Sequence, residues 1–228
     1  MNKDIYFVKK GKYFEENIVL NMRKKIYNIV KNIINIPDMK NILLLGITKD
    51  IEKSYSNYME KRIIEEGSNV VLLSNQEVKW IENKYDNIEL IIKDVNNINF
   101  EENKFELVFS NALIEHIGNY DKQLNFINNC YKISSKYAVI ITPNKNHPIE
   151  FHSITFLLHL SPKAVFNKYL RLMKYNDLLN DNLNLLNKKH LLNMLKILNI
   201  KKYVFKYVHF LGFISNIILI IEKEKNDG

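Results

Sequence analysis

Four side chains able to do acid–base or metal chemistry fall close together in the sequence: His147, Glu150, His152 and His159. A fifth and a sixth, Glu115 and His116, stand side by side some way upstream. An imidazole titrates near neutrality, so His116 can take a proton from a hydroxyl, and Glu150 with His152 can orient or deprotonate an acceptor group. Histidine and glutamate also ligate catalytic zinc. The spacing here matches no standard helical metal motif such as H-E-x-x-H, and no metal site is expected. The competing expectation is structural: a loop pinned to the core by Pro143, Pro148 and imidazole hydrogen bonds. Cys130 is the only cysteine, which forbids an internal disulfide and suits a buried thiol and a reducing, cytoplasmic setting.

Glycine is scarce. The chain of 228 residues has six, at 11, 46, 67, 118, 212 and 228. No two lie close enough for a G-x-G-x-x-G fingerprint or a phosphate-binding P-loop, so a standard dinucleotide-binding dehydrogenase, a P-loop NTPase and a protein kinase are all disfavoured. The net charge is +8, but lysines are spread evenly and only Arg23, Arg62 and Arg171 are arginine. A nucleic-acid partner is therefore not expected, because base readers lean on arginine. The first residues lack the apolar stretch of a signal peptide, and no apolar run reaches the ~20 residues of a membrane span.

These chemical groups need a frame. Apolar residues recur at helical spacing from Glu15 to Ile36, where Val19, Met22, Ile26, Ile29, Val30 and Ile33 share a face. Short apolar runs then alternate with helical stretches. Strands are expected at 41–46, 70–73, 88–92, 105–109 and 137–142, the first three read as buried or nearly so. Helices are expected at Tyr55–Glu66, capped by Gly67, at 121–132, and at 187–198, capped by Asn187. Two strands, 202–210 and 216–222, close the chain, joined too tightly for a parallel crossover. The pattern predicts an α/β fold: a Rossmann-like, seven-stranded, mostly parallel sheet with helices on both faces and the last two strands antiparallel. Residues 1–37 read as an N-terminal helical segment. Residues 38–228 read as the main domain, with a helical cap at about 145–186, too long for an ordinary loop. Ligands in such sheets bind at the carboxyl ends of the strands.

Residues 94–160 resemble the second half of a class I S-adenosylmethionine-dependent methyltransferase. The carrying motifs are Phe105-Glu-Leu-Val-Phe-Ser110, Leu113-Ile-Glu-His116 and Thr142-Pro-Asn144. The segment Pro148-Ile-Glu-Phe-His152 is similar to a subgroup having P-I-E-x-H after T-P-N. The resemblance implies methyl transfer from S-adenosylmethionine to a small-molecule or glycan-type acceptor held under the cap, with His116, Glu150 and His152 lining the reacting atoms. It implies a cofactor lying across Gly46, Thr48, Ser74, Asn75, Asp94, Val95, Ser110 and Asn111.

The first half departs from the family. Where the family has D-x-G-x-G-x-G, this chain has Leu44, Leu45, Gly46, Ile47, Thr48, Lys49 and Asp50. The ribose-binding acid at the end of the second strand is replaced by Ser74, followed by Asn75 and Gln76. Thr48, Lys49 and Asp50 could serve a zwitterionic amino-acid group or fill the space where it would lie. Asp94 could accept from an adenine amine or close an Asx turn. A second function therefore stays open: a methyltransferase-like protein that no longer binds the cofactor and acts as a partner or scaffold subunit. Methylation or binding of nucleic acid is a third, weaker reading, and the N/D-P-P-Y/F pattern of DNA amino-methylating enzymes is absent.

Overall fold

Runs such as Asn41–Leu45, with no polar side chain to give to water past the first residue and too short for a helix, suit strands covered on both faces. The computed structural model describes residues 12–49, 53–82, 84–97, 99–179 and 182–224. In it the first five strands are β1 (Asn41–Leu45), β2 (Asn69–Ser74), β3 (Ile88–Ile92), β4 (Phe105–Asn111) and β5 (Ser134–Pro143). The helices among them are α1 (Lys12–Lys31), α2 (Tyr58–Glu66), α3 (Lys79–Glu82) and α4 (Tyr120–Ile133). A short hairpin, β6 (Ile149–Glu150) and β7 (Thr155–Phe156), and α5 (Lys163–Leu172) follow. The chain closes with α6 (Lys188–Ile197), β8 (Tyr203–Phe210) and β9 (Phe213–Glu222).

Seven strands form one sheet in the order β3-β2-β1-β4-β5-β9-β8. The pairs from β3 to β5 are parallel. Strand β9 runs antiparallel to both β5 and β8, the second as the tight link between the last two strands requires. Successive residues of a strand point to opposite faces, so β1 feeds two cores. Ile42 and Leu44 pack with Ile26, Val30, Met59 and Ile63 of α1 and α2. Leu43 and Leu45 pack on the other face with Phe126 and Ile127 of α4 and Leu191 and Leu195 of α6. Cys130 is buried in that second core, and burial pushes its thiol pKa well up, so it stays an inert thiol.

Some boundaries differ from those read off the sequence. The first helix stops at Lys31 rather than Ile36, and the chain then turns so that Ile34 and Ile36 are buried. The second begins at Tyr58 rather than Tyr55, because Asn57 adopts the left-handed region (φ 50°) just before it. Gly67 ends that helix with an ordinary φ of −87°. Glycine is needed there for closeness instead: an added Cβ would lie 2.6 Å from Ile42 Cδ1 and 2.9 Å from the Ile63 carbonyl. Strand β3, expected to be buried, is the sheet edge, with Ile92 56% exposed.

The segment after β5 folds over the strand ends. It has a small core of its own from Phe166, Leu170, Leu178, Leu179 and Leu183. The Lys145 N–H donates to the Leu186 carbonyl (2.7 Å), which closes its base. The helix after it starts where Asn187 accepts from the His190 N–H at 3.1 Å, the expected cap. Among the described residues, no helix is long and apolar enough to cross a membrane.

Candidate active site

Strand order reverses between β1 and β4, and the crevice outside their carboxyl ends is where an open α/β sheet accepts a ligand. Gly46 leaves β1 with φ +83°, and Leu113 closes over it so that an added Cβ would sit 3.0 Å from its Cδ2. A narrow cleft opens beside this turn, lined by Arg23, Gly46, Thr48, Asn57, Glu60, Asn111 and Ala112. Thr48 is held by Asn57: its N–H donates to Asn57 Oδ1 (3.1 Å) and its carbonyl accepts from Asn57 Nδ2 (2.8 Å). Asn111 Nδ2 donates to Glu60 Oε1 at 3.2 Å. Glu60 is 5% exposed, and its other oxygen, Oε2, has no partner among the described residues. The guanidinium of Arg23 bonds the Tyr55 carbonyl and lies over the Tyr55 ring.

Further along the rim the groups are self-contained. Ser74 is buried, donating from Oγ to the Ile47 carbonyl (2.9 Å) and accepting from the Gln76 N–H (3.0 Å). Asn75 is exposed. Asp94 is exposed and accepts from the Asn96 N–H (2.8 Å) and Asn96 Nδ2 (3.0 Å), the Asx turn. Val95 packs part-buried against the second core. Ser110 is fully buried with an unpartnered Oγ among the described residues. Asp50 lies outside the described residues. Of the expected cofactor positions, the structure brings Gly46, Thr48 and Asn111 to one cleft; Ser74 and Asp94 are occupied with their neighbours.

The acid–base residues do meet. A single turn after β4, Ile114–His116, presents Glu115 and His116. Gln123 of α4 clamps it, donating to the carbonyls of Ile114 (3.0 Å) and Asn184 (2.8 Å), while the Asn184 N–H donates to the Glu115 carbonyl (2.7 Å). Glu115 is 0% exposed. Its Oε2 accepts from Thr142 Oγ1 at 3.0 Å, and its Oε1 has no hydrogen-bond partner among the described residues. His116 donates from Nδ1 to the Asn182 carbonyl at 2.8 Å, the only role open to a nitrogen facing a carbonyl.

On the cap, the Glu150 carboxylate is saturated. Oε1 accepts from the His152 N–H (2.7 Å) and Nδ1 (2.6 Å), and Oε2 from the Ser153 N–H (2.6 Å) and Oγ (2.5 Å). The two rings then meet: His116 Nε2 lies 3.1 Å from His152 Nε2, with the rings at 82°. Glu115 Oε1 is 4.0 Å from His152 Nε2. Burial works to raise the Glu150 carboxyl, but the His152 ring and the Ser153 donors outweigh it and hold it at about 2. Burial works against charge on His152, yet Glu150 and then Glu115 reverse this and raise its pKa. Burial, then the facing charge of His152, push His116 down to about 4. Burial raises Glu115 against the pull of His152. His147 and His159 stand apart from this cluster. His147 is buried, bonded to the Ile149 and Phe210 carbonyls and stacked on Phe151, and His159 bonds the Lys145 carbonyl at 2.9 Å.

A family model described as a methyltransferase domain matches residues 55–141. No curated protein sequence matches the chain. Among solved structures, it is similar to magnesium protoporphyrin IX methyltransferase from Synechocystis with bound S-adenosylhomocysteine. That pair shares 8% identity over 96% of this chain and 91% of that one, with a TM-score of 0.60. N-methyltransferase NodS from Bradyrhizobium japonicum gives 8% identity, 89% and 87% coverage and a TM-score of 0.57. A S-adenosylmethionine-dependent methyltransferase from Methanosarcina mazei gives 11%, 86% and 96%, and 0.56. The chain has the class I methyltransferase fold.

In this methyltransferase fold a second cavity, of about 280 Å³, adjoins the cleft. Its walls are apolar side chains of α1 (Ile18, Val19, Met22, Ile26), of the cap (Ile149, Phe151, Ile154), and Phe210. His152 supplies a polar wall, and Arg23, Asn111 and Ala112 are shared with the cleft. Arg23 and Glu60 were missed from sequence. Both carry a signal: each sits on the apolar face of its helix, Arg23 three residues before Ile26 and Glu60 three before Ile63.

Proposed function

We propose that the protein is an S-adenosylmethionine-dependent methyltransferase acting on a small acceptor with an apolar body. The observation that carries this reading is the pair of adjoining cavities with a common wall at Arg23, Asn111 and Ala112. Transfer between two bound molecules needs two compartments that meet, so that the reacting atoms are held close and in line.

The residues of the cleft fit the amino-acid end of the cofactor. An orphaned buried carboxylate oxygen on Glu60 suits an ammonium, and the Arg23 guanidinium suits a carboxylate. At the ribose position Ser74 offers no free group, so the hold there is weaker than an acid would give. Bound there, the cofactor supplies an electrophilic methyl group on a sulfonium. The chain does the rest: the apolar walls exclude water and orient the acceptor. His152, its ring fixed by Glu150, brings an imidazole to the wall of the acceptor compartment with His116 behind it. When the proton between the rings rests on His116 Nε2, His152 Nε2 is the atom that can take the acceptor's proton. The apolar lining favours a small hydrophobic acceptor over a glycan.

Calorimetric titration with S-adenosylmethionine and S-adenosylhomocysteine tests the reading. Both are expected to bind, and Glu60→Ala to weaken them at least tenfold. No binding up to millimolar concentration sinks it and returns the partner or scaffold role; binding unchanged in Glu60→Ala overturns the placement of the amino-acid end.

A further inference from the structure

We propose that Glu115 Oε1, His116 Nε2 and His152 Nε2 form a site for one divalent transition-metal cation of the zinc class, reached from the apolar cavity at its His152 wall. One ligand atom from each of the three residues lies within 4.8 Å of the other two. The two Nε2 atoms are 3.1 Å apart, and Glu115 Oε1 is 4.0 Å from His152 Nε2. They come from two separate segments, the turn after β4 and the cap, which is why local spacing in the sequence did not reveal a ligand set.

The hydrogen bonds around the rings fix their roles. Nδ1 of His116 must carry a proton to meet the Asn182 carbonyl, and Nδ1 of His152 must carry one to meet Glu150. In neutral rings this leaves two Nε2 lone pairs pointing at each other across 3.1 Å. Something positive has to lie between them, either a proton or a cation. Ring nitrogens on a tetrahedral zinc, at 2.0–2.1 Å each, stand about 3.3 Å apart, so the observed separation fits a shared ion. A metal-bound histidine typically gives its second N–H to a carboxylate or a carbonyl, and here one does each.

The carboxylate supplies the independent sign. Glu115 is wholly buried, and Oε1, 4.0 Å from His152 Nε2, is left without a hydrogen bond. Closing that gap by about 0.7 Å would bring it to the separation of two zinc ligands. Charge agrees. With a shared proton the two carboxylates face one imidazolium; with a divalent ion and neutral rings, Glu115 and Glu150 are fully balanced. Binding replaces the proton on His152 Nε2 with the ion and releases that proton to solvent. Two imidazoles and one carboxylate leave a coordination position free, as in catalytic zinc sites. On the reading of the cavity given above, the acceptor's oxygen would take it, and the ion, by lowering the pKa of that oxygen, would replace the imidazole as the means of removing its proton.

Chelator-treated full-length protein titrated with Zn²⁺ tests this without cofactor or acceptor. One ion per chain is expected, with a proton released and, for Co²⁺, visible absorption of a four- or five-coordinate ion. His116→Asn and Glu115→Gln should lower affinity at least tenfold, and Glu150→Gln by about 10–100-fold through the His152 ring. The exposed His209→Asn should bind as the wild type does. Far-UV circular dichroism checks folding, and His116→Asn serves if Glu115→Gln fails to fold. No stoichiometric binding at micromolar Zn²⁺, or binding that His116→Asn leaves unchanged, overturns the site and leaves the rings sharing a proton. Cofactor titration is separate, so either idea can fail alone.

Discussion

Two stretches of the same rim solve the same problem in opposite ways. At the ends of β2 and β3, polar groups are satisfied by neutral neighbours along the rim itself. Asp94 takes two bonds from Asn96 in open solvent, and Ser74 is consumed by Ile47 and Gln76. At the ends of β4 and β5, charged groups are carried into the interior, Glu115 and His116 held by distant partners and Glu150 by its own hairpin. Thr142 meets Glu115, Asn182 meets His116, and the cap supplies Glu150 and His152. Local satisfaction leaves nothing over for a ligand. Burial with leftover capacity, as at Glu115 Oε1, is costly unless something fills it.

The comparison is sharpest in stability. Glu150→Ala strands four donors, on His152 and Ser153, in a buried site. Breaking one side of a buried charged pair typically costs about 3–5 kcal/mol. Urea denaturation should show a loss of that size, and a loss below about 1 kcal/mol would break the contrast between the two stretches. An intermediate effect concerns pH in chelator-treated protein. His116, folded at about 4 and near 6.5 unfolded, binds its proton more readily in the unfolded chain. Its contribution is therefore intact above pH 6.5 and lost as pH falls towards 4. Glu115, raised by burial, acts in the opposite sense, so the wild type must be compared with His116→Asn. The wild type should lose about 2 kcal/mol more than the variant across that interval. An identical pH profile for the two would show that the ring is not buried neutral. The smallest effect is expected at Asp94→Ala, within about 0.5 kcal/mol as for other exposed sites, by the same urea measurement. A loss of several kcal/mol there would mean that the β3 rim is built like the β5 rim after all.

Much of this was legible in the sequence. Short apolar runs alternating with helical stretches pointed to the strands, and the short link read between Phe210 and Asn216 pointed to the reversal of the last one. Ile88–Ile92 misled, since its isoleucines suggested burial while Glu89 marks a strand half open to water. Glu115, His116, Glu150 and His152 were legible as residue types, but their meeting depends on the cap folding back across β5. The bond between Thr142 and Glu115 was hidden for the same reason. The fate of Ser74 turned on Gly46, whose positive φ precedes Ile47, the residue whose carbonyl accepts the hydrogen bond from the Ser74 hydroxyl. Arg23 and Glu60 looked like ordinary charges on amphipathic helices until the packing placed them inward.

The clamp of Gln123 and Asn184 on the turn at Ile114–His116 has a consequence in time rather than in space. Residues 182–184 belong to the cap, and Asn182 holds the His116 tautomer. A swing of the cap that opened the cavity would withdraw that carbonyl and let the imidazole spin free. The docking of the cap and the orientation of the His116 ring are thereby linked: any movement that lifted residues 182–184 would undo both together.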